Sequence, residues 1–268
     1  MAHQGRGLPR EAGRGGSLSG ETRSFREEVL QELRGAFAQA RDRLASAAGG
    51  ALLTADLDCR SAHSARSDFG YERLLGAPDS FTKGEELLKL LRARGRSAFT
   101  ITNPGDATAC RELTAKGRDV LPAAAFRCRL APFPGRARVL VYGLDAADEL
   151  RLGQLAEDLD AFLLHARARD LVAVLSRPFE VPEGEAAPPS AWFEHLAMRF
   201  DTIEVMHGQA DLFQCLLAVR WVQSLTPARL GEIAARLGVD PGRFVRRPLE
   251  RSMTGGSGDR AGLLAGTV

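Results

Sequence analysis

The sequence predicts an α/β protein: a barrel of strands alternating with helices, preceded by an N-terminal helix. Three observations carry that expectation. Short apolar runs alternate with helix-like segments from residue 51 onward. Six or seven such units in a chain of 268 residues favour a (β/α) barrel over an open sheet. Charged and polar residues also follow the apolar runs directly, at the strand ends where such barrels place their chemistry.

Residues 1–23 are rich in Gly, Arg and Ser and carry almost no large apolar group, so they are expected to stay disordered. Ser24 and Glu27 have capping-box spacing, and Phe25, Val29, Leu33, Phe37, Ala40 and Leu44 recur at helical intervals. This predicts an amphipathic helix over 24–47. Ala48-Gly49-Gly50 permits a tight turn into the barrel, which is assigned residues 48–268. Its predicted strands are Leu52–Leu57, Ala98–Thr102, Val120–Phe126, Arg138–Gly143, Leu171–Leu175 and Thr202–Met206. The predicted helices are Gly84–Ala93, Leu150–Ala168, Ala191–Arg199, Asp211–Ser224 and Pro227–Leu237. Strands separated by helices imply parallel pairing.

A net charge of +2 gives no reason to expect nucleic acid or a membrane surface as partner. No apolar run is long enough to span a bilayer, and the first residues lack the apolar segment of a signal peptide. Cys59, Cys110, Cys128 and Cys215 show no C-x-x-C spacing and fit a reducing compartment, so a cytoplasmic location is expected.

The stretch "TADLDCRSAHS", residues 54–64, places Asp56, Asp58 and Arg60 at alternate positions and hence on one face of a strand. Cys59 alternates away from them toward the helical layer. Later strand ends carry Asn103, Ser176-Arg177 and His207. His207 is the one histidine besides His63 placed to face the mouth, and Glu204 reads equally well as part of a structural ion pair.

These strand ends resemble those of the polymerase and histidinol phosphatase (PHP) superfamily. "ADLDCRSAHS" is similar to its D-L-H-x-H-S opening, "FTITNPGD" to T-I-T-D-H-N, and "AVLSRPF" to A-V-A-H-P-x. "FDTIEVMHG" resembles F-D-x-F-E-x-x-N-G, and "MTGGSGDRAGL" resembles T-G-G-S-D-D-H-A-G-L. The segments "RLLGAPDSFTKGEELLKLLRARG" and "RWVQSLTP" resemble a stand-alone or glycosyltransferase-associated subgroup. The resemblance implies a distorted (β/α)7 TIM-like barrel carrying a multinuclear metal centre that hydrolyses phosphate esters.

This chain departs from the resembled pattern at almost every ligand. Asp58 and Arg60 stand at the two histidines of the opening block, Asn103 and Pro104 at the Asp-His pair of the second, and Ala125 at a glutamate. Arg138 and Arg177 stand at further histidines, and Gly258 and Arg260 at the closing Asp and His. Arginine and proline side chains have no lone pair to offer a metal ion. The expectation is therefore a catalytically inactive protein without a metal cofactor, with a binding, regulatory or scaffolding role. Arg60, Arg138, Arg177 and Arg260, with Asp58, would bind a phosphorylated small molecule, since guanidinium groups pair with phosphate bidentately. Equally, these arginines could form an ionic plug with Asp56, Asp58 and Asp259. The alternative is a metal-dependent phosphoesterase using a rearranged Asp56, Asp58 and Asn103 site with a divalent cation such as Mg or Mn. By the resemblance, a glycosyltransferase-associated protein is an expected partner; oligomerisation stays open.

Overall fold

The computed structural model describes residues 54–64, 80–180, 189–210 and 212–260, with scattered positions between 27 and 46 and residues 263, 265 and 266. The chain divides into two units, Met1–Leu52 and Leu53–Val268. In the first, every described position is helical and exposed. The predicted tail and the apolar stripe from Phe25 to Leu44 lie outside the described residues.

The second unit is a mixed α/β fold on one six-stranded sheet. Its strands are neighbours in chain order: β1 (Thr100–Ile101), β2 (Leu121–Arg129), β3 (Arg136–Tyr142), β4 (Val172–Ser176), β5 (Thr202–His207) and β6 (Ser252–Gly256). Seven α-helices of this unit are described: α1 (Gly84–Ala93), α2 (Thr108–Ala115), α3 (Ala146–Leu155), α4 (Leu159–Ala168), α5 (Ser190–Ala197), α6 (Leu212–Ser224) and α7 (Pro227–Leu237). None of the described helices is long and apolar enough to cross a membrane.

All-parallel pairing does not hold. β3 runs antiparallel to both β2 and β4, whereas the β1–β2, β4–β5 and β5–β6 pairs are parallel. Only residues 130–135 separate β2 from β3, and a parallel return needs a crossover of about a dozen residues or more. The reversal has a functional consequence, because it brings the first residues of β3 to the end of the sheet where its parallel neighbours finish.

The extended segment 54–60 joins the sheet through single contacts. Ala55 bridges Ala98 and Cys59 bridges Asp259, both in parallel. Further bonds run from Thr102 N to Cys59 O at 2.8 Å and from Gly258 N to Asp58 O at 2.6 Å. The sheet therefore curls toward this segment from both edges.

α1 and α7 occupy their predicted bounds. α7 has Thr226 as N-cap, Pro227 in its first turn, and Gly238 in the left-handed region (φ 62°) as its stop. The helix predicted over Leu150–Ala168 is instead two. The side chain of Asp158 accepts bonds from Asp160 N and Ala161 N at 3.0 and 3.1 Å and opens α4, while Asp145 and Asp148 form a reciprocal cap on α3.

Strand alternation sorts the core into two layers. Val139, Val141, Leu175, Ile203 and Val205 face outward and pack with Leu152, Phe162, Trp192 and Leu196 from the helices. A smaller inner cluster of Ala123, Ala125, Leu140, Tyr142 and Val174 lies on the other face. Above it, at the mouth, the inward positions become polar.

Candidate functional site

Asp58 is at the centre of the mouth and is fully buried. Arg138, the third residue of β3, grips both of its oxygens: Nη1 donates to Oδ2 at 2.7 Å and Nη2 to Oδ1 at 3.1 Å. Thr102 Oγ1 also donates to Oδ1, and His207 Nε2 lies 3.0 Å from Oδ2. Arg138 Nη1 further donates to Ser176 Oγ at 2.6 Å, and Ser176 donates to Glu204 Oε2. A continuous polar chain thus links segment 54–60, β3, β4 and β5.

Electrostatics follow from the burial. Desolvation alone would raise the pKa of Asp58, but Arg138 and the bond from His207 hold it well below the usual carboxylate range. Burial and the neighbouring Asp58 push Glu204 up to about 8. Burial lowers His207 to about 4 although its bond to Asp58 pulls the other way, so the ring is neutral at pH 7. Gln209 N lies 3.3 Å from His207 Nδ1, which places the ring proton on Nε2, facing Asp58.

Two glycines make this cluster fit. A Cβ on Gly256 would lie 2.6 Å from Asp58 Cβ and 2.8 Å from Glu204 Oε1. One on Gly258 would lie 2.0 Å from His207 Cε1, so the imidazole fills the room an aspartate side chain would need there. Position 258 is where the resembled family carries an acid; here the space belongs to a histidine from β5.

Asp58, Glu204 and His207 form the one group among the described residues that could hold a metal ion, with ligand atoms within 4.8 Å of one another. The expectation of a site with no metal cofactor is corrected by this buried set. Two features fit a cation: Glu204 Oε1 is buried without a hydrogen-bond partner, and the donors are two carboxylates and an imidazole, suited to a first-row divalent ion. Two others oppose it. Arg138 already occupies Asp58, and metal on Nε2 would move the ring proton to Nδ1 at the cost of the contact from Gln209.

The other predicted site residues take several positions. Asp56 is buried and structural: its carboxylate accepts from Ser257 N at 2.8 Å, Gly266 N at 2.6 Å and Asp58 N at 3.3 Å. Asn103 is tied to Ser61, accepting from its N at 2.9 Å and donating to its Oγ at 3.0 Å. Arg60 is almost wholly buried, close enough to Arg177 to repel its charge. Arg177 adopts the left-handed conformation (φ 47°), donates to Glu180 at 2.7 Å and keeps a buried Nε with no partner. Burial and Arg138 lower its pKa to about 10. For Arg260 the described contact is its carbonyl, which accepts from Ser80 Oγ at 2.5 Å.

Glu204 and His207 are the residues sequence reasoning weighed without assigning to the site. Strict alternation puts Glu204 and His207 on opposite faces. A register shift between Glu204 and Met206 in the β5–β6 pairing returns both to the mouth.

No family model matches the sequence, and no curated protein matches it. Among solved structures, the chain is similar to a proposed metal-dependent phosphoesterase from Bifidobacterium adolescentis, with 11% identity and a TM-score of 0.46 over 78% of this chain and 88% of that one. It is also similar to an amidohydrolase from Chromobacterium violaceum with bound sulfate and no metal, with 12% identity and a TM-score of 0.47 over 78% and 88%. A two-domain protein from Bacteroides vulgatus containing a predicted PHP-like metal-dependent phosphoesterase gives 14% identity and a TM-score of 0.44, over 79% and 53%. Scores at this level say nothing about activity.

Proposed function

We propose that this chain is a phosphate-binding derivative of a PHP-type fold, in which arginines supply much of the positive charge that a multinuclear metal centre would otherwise provide. At most one divalent ion would join them, on Asp58, Glu204 and His207, where it would add a Lewis acid beside the guanidinium groups. The ligand class is a small phosphorylated molecule, and its recognition rather than its hydrolysis is the role.

One observation carries the reading. Both oxygens of the central carboxylate, Asp58, are engaged by Arg138, with Arg177 and Arg60 buried close by. Three buried guanidinium groups close to one another favour an anion, and phosphate matches their planar fork. Support also comes from the sequence blocks that resemble the PHP pattern: Asp58, Thr102, Arg138, Ser176, His207 and Gly258 come from separate blocks or strand ends and touch at one point. The cytoplasmic location remains part of the proposal on the cysteine pattern, and the glycosyltransferase-associated partner on the sequence resemblance.

A second reading, a metal-dependent phosphoesterase, is favoured by the Asp58, Glu204 and His207 group itself. Metal analysis of untagged protein, coupled to turnover of p-nitrophenyl phosphate and to calorimetry with inorganic phosphate, separates them. Phosphate binding without turnover supports the binding role. Turnover that disappears on chelation and in Asp58→Asn would replace it with the hydrolase.

A further inference from the structure

Arg138 has two environments. On one side it holds Asp58 and Ser176; on the other it forms part of the wall of a cavity of about 270 Å³, bounded by Pro104, Gly105, Arg127, Gly153 of α3 and its C-cap Ala156. Arg127 and Arg138 are direct cross-strand partners in the antiparallel β2–β3 pair. Like charges placed opposite each other repel. Asp58 pairs with Arg138, and both arginines line the cavity, so an anion held there lies beside two cations. The volume lies just under the roughly 300 Å³ at which pockets for drug-sized ligands begin, which suits a phosphate group with a small organic body.

We propose that Arg138 is a shared cation which couples this anion pocket to the Asp58, Glu204 and His207 metal group, so that phosphate and a divalent metal ion bind cooperatively. This rests on the phosphate-binding reading above and adds a linkage to it. A metal ion arriving alone meets the guanidinium already seated on Asp58, with Nη1 4.0 Å from Glu204 Oε2 as well. An anion arriving alone draws Arg138 toward the cavity and leaves Asp58 buried without its counter-charge, an expensive state. When both arrive, the anion takes the guanidinium and the metal takes the lone pairs that Arg138 releases. Glu204 Oε1, buried and without a partner, is the further acceptor available to that metal.

The test is calorimetric titration of the full chain with Mn²⁺, with and without inorganic phosphate, and the reciprocal titration with phosphate. The expected result is a gain in Mn²⁺ affinity of about 5-fold to 150-fold in phosphate, the usual range of coupling between sites, with an equal gain for phosphate in Mn²⁺. In Arg138→Gln, Mn²⁺ should bind without phosphate and the mutual gain should vanish. If Arg138→Gln does not fold, Arg138→Lys, which keeps the charge but grips Asp58 at one point, should show a reduced gain. Wild-type protein that binds both ligands with no mutual effect would overturn the coupling and leave the phosphate-binding reading standing. A gain of the same size in the Arg138 variant would trace to pairing of Mn²⁺ with phosphate in solution and would also overturn the coupling. Protein that binds neither ligand would sink both.

Discussion

The two faces of β3, β4 and β5 are built from alternate residues of the same strands yet obey different rules. Outward, Val139, Val141, Leu175 and Ile203 pack on apolar residues of the helical layer. Inward, Arg138, Ser176 and Glu204 form a chain of charge and hydrogen bonds around Asp58. Burial is nearly complete on both sides, with Leu175 1% exposed and Arg138 6%. Energy on the outer face is spread over many replaceable contacts, whereas on the inner face it is concentrated in a few partners, each of which leaves another stranded when removed.

The largest expected effect tests that concentration. Arg138→Leu should cost about 3–5 kcal/mol, because it leaves Asp58 as an uncompensated buried charge. The double variant Arg138→Leu with Asp58→Leu should recover much of the loss. Urea unfolding of the four-member cycle measures this; additive costs would mean the pair is not the unit of stability here. On the outer face, Leu175→Ala should cost about 2–4 kcal/mol through lost transfer energy and the residual cavity, with phosphate binding unchanged. Loss of phosphate binding in that variant would show that the two faces are not separable. The smallest change should be the most selective. Gly258→Ala adds a Cβ where His207 sits and forces a side chain onto φ 61°, so a stability cost of about 1–3 kcal/mol should accompany loss of Mn²⁺ binding. Unaltered Mn²⁺ binding would remove His207 from the metal group.

The outer face was the legible one. Helical periodicity placed α1 and α7 at their observed bounds, since their stripes are clear and α7 carries Pro and Gly at its ends. The sequence reads as a single long helix because Leu152, Leu155, Leu159 and Phe162 keep helical spacing, and only the capping role of Asp158 reveals the break. α2 is not marked in the sequence, because its N-cap is Ala107, which has no side chain to cap with, and its first turn has no acidic residue. The mixed sheet was hidden for a different reason: the expectation of parallel strands came from counting alternations, while the short β2–β3 connection decides the direction of β3. Within the site, Asp58 is legible as a charge at a strand end, and Arg138 through the resemblance to the PHP pattern. Glu204 and His207 were not assigned, because the register shift that brings them together comes from pairing with β6 and leaves no mark on either residue.

Asp56 sets the order in which the mouth can be assembled. Its buried carboxylate takes donors from Ser257 N and Gly266 N, partners 201 and 210 positions further along the chain. Closing loops of that length is costly, and contacts of large sequence separation form late and slow folding. On a ribosome, the segment that carries Asp56 and Asp58 emerges long before the residues that seal it. Until then two acidic groups stay hydrated and the curled sheet lacks its fastening, so the site is completed only after Ser257 and Gly266 have emerged.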